Sequence, residues 1–524
     1  MSAISDYFRT ALLIDDRVAP DYGPLEVLDD ERAEGGEQEP TEGLIEPPGP
    51  DETPVHPADL VRAFISSGVV CSVLEPAAGA SDLVQQALRG AQIADLLIFD
   101  WLLYGSDAVT LEMINAISSE RTERLTVIVV FTGMPGLADV VQRLVDTAQF
   151  EAIDEYSLRR DNTVVLVFGK PGVRLPDGED WRQPAGYPDL PGMICADLEL
   201  VFKGLMPEFA FSGINALRES APRILATFNE ELDAGALIHR ALLPDPDEAA
   251  AQFIRLLCSD MELALRDAEV SSVWDVDASS ESLARVTAAG DASPLAARLR
   301  RSPRVADDLK DLSEDEQVRE AVSRGFARAG LGDSAITEAC ADLATAMADA
   351  GQSNEKLAVL IDSCGFGSAP PRLELGVVVM REPKSEEPQQ AGHGADQHLW
   401  LCVQPLCDSV RLREQRAFPF VPISVNADAP NAMICPPDGA PTGISFNTHL
   451  YRLQQARFAP SAAGAVVAQG SPTNWHFTDE DGVRYRVVTR LRSELSAQVV
   501  HSLGSAATRV GTDQSEWFRR RART

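Results

Sequence analysis

The chain has 524 residues, of which 45% are hydrophobic, and a formal net charge of −34. A chain of this length is too long to fold around one hydrophobic core, so we expect about three domains. The acidic charge repels nucleic acid phosphates and anionic lipid surfaces, which disfavours a nucleic-acid partner, and we expect no membrane partner. No apolar run approaches the ~20 residues that span a bilayer, and the N-terminus lacks a signal-peptide pattern, which favours a cytoplasmic protein.

The first third of the chain alternates short apolar runs with amphipathic segments. Residues 10–14 are apolar and end at Asp15-Asp16, which is typical of a buried parallel strand. Further strands are predicted at 69–74, 94–99, 125–131 and 163–168, and helices at 57–67, 81–91, 108–118 and 137–147. This alternation predicts an α/β domain over residues 1–180, flavodoxin-like, with a five-stranded parallel sheet.

Residues 19–58 interrupt this alternation. They are rich in Pro, Gly, Glu and Asp and contain almost no aromatic residues. Such a composition cannot bury enough apolar surface to offset the entropy of ordering the chain. We therefore predict a disordered acidic insertion in a surface loop of the first domain.

The remaining two thirds divide by periodicity. Residues 190–365 show mostly helical spacing of apolar residues and predict a helical domain. Strand-like alternation then follows, and a C-terminal α+β domain is predicted over residues 368–524. Its predicted elements are strands at 372–379, 398–403 and 418–424, a hairpin over 476–488 with Asp-Gly in its turn, and a final helix at 494–510.

Polar residues follow the predicted strands of the first domain: Asp15, Asp16, Asp100, Thr132 and Lys170. The carboxyl ends of parallel strands meet at one edge of the sheet, so these side chains should share a crevice. Phosphoryl transfer needs an in-line nucleophile, a metal ion and a cationic contact. Lys170 would bind phosphoryl oxygens as a point charge, and Thr132 would donate its hydroxyl to the acyl phosphate.

Three carboxylates at one crevice repel each other unless a cation lies between them. Mg²⁺ is the natural cation for oxygen ligands. We predict that Asp16, Asp100 and the backbone carbonyl of Leu102 hold it, with Asp15 nearby or bound through water. Asp100 is the predicted nucleophile.

This set of residues resembles the receiver domains of two-component response regulators over residues 8–180. The matching motifs are Asp15-Asp16, Asp100 in IFDW, Thr132 in VVFTG and Lys170 in GKP. The resemblance implies a sensor histidine kinase as phosphoryl donor, a downstream protein partner, and often a cis peptide before the proline. It implies no enzymatic activity beyond autophosphorylation and autodephosphorylation of the receiver.

The chain departs from the common receiver pattern. The spacing from the acidic pair to Asp100 is about twice the usual one, and Val167 stands where an aromatic residue is usual, with Phe168 one step later. These departures resemble the divergent response receivers of bacterial conflict and phage-defence operons, such as the Detocs type. There a histidine kinase passes phosphate to receivers that drive a toxic effector or absorb the signal. The segment 399–408 resembles an element of those proteins.

The leading hypothesis is thus a phosphoacceptor signalling protein that relays or buffers a signal, and two alternatives stay open. One is a receiver-gated effector enzyme with a pocket in the C-terminal domain, for which the candidate residues are Asp408, Arg411, His449 and Arg490. The other is a scaffold that is never phosphorylated.

A zinc site is a separate possibility, formed by Cys402, Cys407 and Cys435 with His393 or His398. The spacing lacks a paired CxxC arrangement, which favours simple burial of Cys402 in a strand.

Overall fold

The structure is a computed structural model. It describes residues 3–17, 56–76, 82–120, 124–171, 182–243, 248–274, 293–305, 307–347, 350–367, 369–382, 399–425, 430–436, 439–449, 452–472 and 474–508. The chain divides into two compact units, residues 1–282 and 283–524. The division falls within 190–365, and the three domain boundaries stay a prediction.

The first unit alternates strands and helices as the apolar pattern predicts. Its strands are β1 (Thr10–Ile14), β2 (Val70–Leu74), β3 (Leu96–Phe99), β4 (Thr126–Thr132), β5 (Glu151–Ala152), β6 (Ser157–Arg160) and β7 (Thr163–Gly169). Its helices are α1 (Ala3–Tyr7), α2 (Pro57–Ser66), α3 (Leu83–Ile93), α4 (Ala108–Glu120), α5 (Leu137–Ala148), α6 (Leu190–Val201), α7 (Leu205–Thr227), α8 (Asp233–Leu242) and α9 (Glu248–Asp267). The predicted insertion lies outside the described residues up to residue 55, and its last two residues instead open α2.

The sheet of the first unit is mixed, with the strand order β2-β1-β3-β4-β7-β6-β5. The five predicted strands are β1, β2, β3, β4 and β7, and they pair in parallel. The prediction of a wholly parallel five-stranded sheet is wrong, because the hairpin β5–β6 extends it through an antiparallel pair with β7. These two strands are short and mostly polar, so no apolar run in the sequence predicts them. They form because β6 pairs with the edge of β7.

Helices cover both faces of this sheet, and β4 and β7 are accordingly buried along their whole length and apolar in their interiors. Side chains of α3, α4 and α5 form the core on one face. On the other face Ile194 and Leu198 of α6 join Leu60 and Phe64 of α2 in a single core. Thus α6, although it falls in the stretch predicted as a separate helical domain, packs on the sheet of the first unit.

The second unit begins with helices and continues as an antiparallel sheet. Its helices are α10 (Ser293–Arg301), α11 (Asp307–Lys310), α12 (Glu314–Arg324), α13 (Asp333–Ala346), α14 (Ala350–Asp362) and α15 (Ser493–Thr508). Its strands are β8 (Ser363–Cys364), β9 (Val377–Arg381), β10 (Leu399–Cys402), β11 (Arg416–Val425), β12 (Ala432–Ile434), β13 (Thr442–Phe446), β14 (Gln454–Phe458), β15 (His476–Thr478) and β16 (Arg484–Leu491).

These strands form one sheet of nine described strands, with the main order β12-β13-β11-β10-β9-β16-β15. The predicted hairpin is confirmed, because β15 and β16 pair antiparallel. The strand predicted at 372–379 starts only at Val377. Gly376 precedes it with a φ of 91°, a left-handed conformation that breaks the extended backbone. No helix within the described residues is long and apolar enough to span a membrane.

Candidate functional site

Four neighbouring strands bring the predicted residues to one edge of the first sheet. Asp15 and Asp100 follow β1 and β3, Thr132 ends β4, and Lys170 follows β7. Backbone hydrogen bonds join these strand ends directly: the Asp100 amide donates to the Ile14 carbonyl at 3.0 Å, and the Lys170 amide donates to the Thr132 carbonyl at 2.7 Å. The parallel register therefore fixes the spacing of the side chains that follow.

A buried lysine lies between two buried carboxylates. The Lys170 Nζ donates to Asp15 Oδ2 at 2.7 Å and lies 3.1 Å from Asp100 Oδ1. All three side chains are almost fully excluded from solvent. Burying these charges costs free energy that only mutual pairing offsets, so the three groups form one electrostatic unit.

Burial and charge act in opposite directions on this unit. Desolvation, together with the carboxylates of Asp15 and Asp16, raises the pKa of Asp100 to about 6 against the lowering effect of Lys170. Desolvation alone would lower the pKa of Lys170, but Asp100 and Asp15 outweigh it and the net pKa is raised. At neutral pH the lysine is therefore a cation and Asp100 is mainly a carboxylate, the form that a nucleophile needs.

Asp16 is held by a turn that the sequence did not single out. Tyr104 and Gly105 have φ values of 54° and 77°, and Leu103 bridges to Ser106 across them. This left-handed pair directs the Tyr104 amide to Asp16 Oδ2 at 2.7 Å. The other oxygen, Oδ1, is buried and has no hydrogen-bond partner among the described residues. The glycine after IFDWLLY was the only sequence signal for this turn.

A small cavity opens beside Asp100. It has a volume of about 10 Å³, enough for roughly one water molecule. Its lining residues are Arg17, Asp100, Leu102, Thr132, Gly133, Met134 and Lys170. Thr132 Oγ1 accepts from the Met134 amide at 3.1 Å, and no described acceptor takes the hydroxyl proton. Arg17 was not predicted, although it directly follows the acidic pair.

This geometry agrees with the family comparison. Residues 7–174 match the family described as the response receiver domain. Residues 7–174 are a response receiver domain. No curated protein and no solved structure matches the chain.

The receiver domain has a group of ligands that fits a hard divalent cation. Carboxylate oxygens of Asp15, Asp16 and Asp100 lie within 4.8 Å of one another, and in the described part of the chain this is the acidic cluster that could hold a metal ion. Asp16 Oδ1, which has no hydrogen-bond partner among the described residues, adds a buried oxygen that needs one. Each Asp15 oxygen already accepts a hydrogen bond, from Lys170 or from the Arg17 amide. Asp16 and Asp100 are therefore better placed than Asp15 to bind Mg²⁺ directly.

Replacing Asp16 by Asn is expected to weaken Mg²⁺ binding at least tenfold, because the amide keeps an acceptor for the Tyr104 amide but loses the charge that the cation needs. Isothermal titration with MgCl₂ measures the change. The matched control is Asp146→Asn, because Asp146 is an exposed carboxylate on α5 that accepts a hydrogen bond from Gln142. Equal Mg²⁺ affinity in wild type and Asp16→Asn would contradict the assignment of Asp16.

The end of β7 and the peptide after it differ in part from the common receiver pattern. The Lys170–Pro171 peptide is trans, since no described peptide bond is cis, which contradicts the implied cis bond. Val167 is fully buried in β7. The ring of Phe168 is covered by the Arg182 guanidinium at 3.6 Å. An aromatic side chain that switches between buried and exposed positions is thus not available at residue 167.

The cysteines suggested as zinc ligands do not gather among the described residues of the second unit. Cys402 is buried in β10, as its strand position predicts, whereas Cys407 and Cys435 are exposed. Within the described residues these cysteines form no group that could hold a metal ion. His393 and His398 lie outside the described residues.

The second unit contains a polar cleft of about 820 Å³. Its polar lining includes three arginines and a run of acidic residues in the β15–β16 turn: Arg381, Arg452, Arg457, Asp479, Glu480 and Asp481. The effector candidates Asp408, Arg411, His449 and Arg490 are not among its lining residues. Arg490 instead donates to Glu374.

Proposed function

We propose that this protein is a phosphoacceptor signalling protein whose receiver domain takes a phosphoryl group from a sensor histidine kinase onto Asp100. The observation that carries the proposal is the Asp100 carboxylate, which is buried against Lys170 at 3.1 Å and lines the cavity beside it. A carboxylate in this position has a cation beside it to receive the phosphoryl charge. Its pKa of about 6 keeps it ionised at neutral pH.

The proposed transfer is a single in-line displacement. An oxygen of Asp100 forms the bond to phosphorus as the bond from phosphorus to the donor histidine nitrogen breaks, and the imidazole leaves. Lys170 neutralises the phosphoryl oxygens, and the Thr132 hydroxyl donates its free proton to one of them. Mg²⁺ held by Asp16, Asp100 and the Leu102 carbonyl, with Asp15 nearby, would neutralise further charge on the same oxygens.

The proposed output is relay or buffering of the signal towards a downstream protein partner in the cytoplasm, and the proposed context is phage defence. The support is the family match together with the motif departures that the sequence shows. The added phosphoryl group carries a charge of about −1.5 to −2, which is enough to shift a two-state surface near the strand ends. A partner would recognise that shifted surface.

Asp100→Asn is expected to abolish phosphorylation, because an amide oxygen is too weak a nucleophile to displace the donor. The full-length protein is incubated with acetyl phosphate and Mg²⁺ and read by intact mass. Wild type should gain one phosphoryl adduct that hydroxylamine removes, as expected of an acyl phosphate. Asp146→Asn, the exposed control on α5, should behave like wild type.

Two results would contradict the proposal. An undiminished adduct in Asp100→Asn would place the phosphoryl group elsewhere. A wild-type protein that gains no adduct from acetyl phosphate or from its cognate kinase would leave the scaffold alternative. The other alternative, a receiver-gated effector, would need its chemistry in the polar cleft of about 820 Å³ in the second unit, which none of its four candidate residues lines.

A further inference from the structure

Arg17 is a cation at the phosphoacceptor cavity whose guanidinium has no partner among the residues that the structure describes. It lines the cavity together with Asp100, Thr132 and Lys170. Its backbone amide donates to Asp15 Oδ1 at 2.8 Å, which fixes this part of the backbone against the acidic cluster. Its guanidinium makes no hydrogen bond or ion pair with the described residues.

Several other described arginines of the first unit are paired. They bind carboxylates or carbonyls through their guanidinium groups: Arg9, Arg62, Arg143, Arg160, Arg182 and Arg218. In a protein with a net charge of −34, an arginine beside three carboxylates that pairs with none of them needs an explanation. An anionic ligand that binds at this site would explain it.

The charge at the site changes when Asp100 is phosphorylated. Beforehand, the carboxylates of Asp15, Asp16 and Asp100 would be balanced by Lys170 and one divalent cation. An acyl phosphate carries a charge of about −2 in place of the single negative charge of the carboxylate. The site therefore gains roughly one unit of negative charge, which leaves a demand for one more cation.

Lys170 cannot meet this demand alone. Its ammonium already donates to Asp15 at 2.7 Å and contacts Asp100 at 3.1 Å, so it is part of the balance before transfer. The Arg17 guanidinium pairs with none of the described residues, and its planar fork matches two oxygens of a phosphoryl group. We infer that Arg17 is a second phosphoryl-binding cation, which pairs with the phosphoryl group on Asp100 and assists its transfer. This inference rests on the proposed function, but the proposed function does not require Arg17.

The test compares wild type, Arg17→Ala and Arg17→Lys as full-length proteins. The rate of adduct formation from acetyl phosphate with Mg²⁺ is followed by intact mass. In parallel, beryllium fluoride with Mg²⁺ serves as a phosphoryl mimic, and its binding is read as a rise in the thermal unfolding midpoint. Arg62→Ala is the control, because Arg62 is an exposed arginine of the same unit that pairs with Asp59.

In Arg17→Ala, we expect adduct formation to slow about tenfold or more and the beryllium fluoride shift to shrink, because a charge-assisted contact is lost. Arg17→Lys should recover part of both effects, since it restores the charge without the fork. Without beryllium fluoride, the unfolding midpoints of all variants should match. If Arg17 had a purely structural role, Arg17→Ala would instead lower this midpoint. Arg62→Ala should resemble wild type throughout.

Arg17→Ala with the wild-type rate and the wild-type shift would overturn this inference and leave the proposed function standing. A wild-type protein that shows neither adduct nor shift would overturn both. The two failures are therefore distinguishable.

Discussion

Lys170→Met is expected to lower the free energy of opening of the receiver domain by about 3–5 kcal/mol in metal-free buffer at neutral pH. The substitution keeps most of the side-chain volume but removes the cation between Asp15 and Asp100, which are both buried. The two carboxylates then face each other without compensation. The raised pKa of Lys170 means that wild type keeps this cation throughout the neutral range.

Hydrogen exchange of the β3 and β4 amides, read by mass spectrometry, measures the loss within the receiver domain. Lys203→Met is the matched control, because Lys203 is exposed and should be nearly neutral. Millimolar Mg²⁺ should restore part of the stability of Lys170→Met, since a divalent cation can take over part of the charge balance. Equal exchange in Lys170→Met and Lys203→Met would show that the buried pairing contributes no stability.

Asp100→Asn is expected to stabilise the metal-free receiver domain at pH 7.5 by up to about 3 kcal/mol. The pKa of Asp100 is about 6 in the folded protein against an ordinary value of 3.8, so the folded state holds the proton more tightly. The protonated Asp100 carboxyl therefore adds to the folding stability of wild type. This stabilisation is fully present below about pH 4 and is lost as the pH rises through 6, at about 1.4 kcal/mol for each pKa unit. Asparagine does not titrate and avoids the loss.

The measurement is the same hydrogen-exchange experiment, made in EDTA between pH 4 and 7.5 after correction for intrinsic exchange rates. The stability gap between Asp100→Asn and wild type should open between about pH 4 and 6 and then stay constant. Asp146→Asn on α5 should show no such gap, because its carboxylate is exposed. A gap of equal size at pH 4 and 7.5 would refute a raised pKa. Addition of Mg²⁺ should narrow the gap at pH 7.5, because wild type gains more from the cation.

Both experiments measure the same feature, a site whose buried carboxylates lower the folding stability of the receiver domain. The buried carboxylates repel one another, and only Lys170 and a bound cation offset that repulsion. Such a site favours binding of cations and is sensitive to a change in charge on Asp100. A phosphoryl group on Asp100 would therefore alter the local balance strongly.

Much of the first unit was determined by the sequence itself. Continuous apolar runs of five to seven residues are typical of strands in a parallel sheet covered on both faces, so β1, β4 and β7 were recognisable locally. The polar residue that ends each run then had to lie at the carboxyl edge. This is why Asp100 and Lys170 could be predicted to meet although they are far apart in the chain.

Other features were decided only by the tertiary structure. The polar strands β5 and β6 gain their pairing from the edge of β7, and α6 gains its place from an apolar face of the sheet, so neither is encoded by a local pattern. The contact of Asp16 with Tyr104 depends on a turn from a different loop. The position of Arg17 at the cavity likewise depends on where the neighbouring strands end. Local periodicity determines which segments are buried, whereas long-range packing decides which side chains surround Asp100.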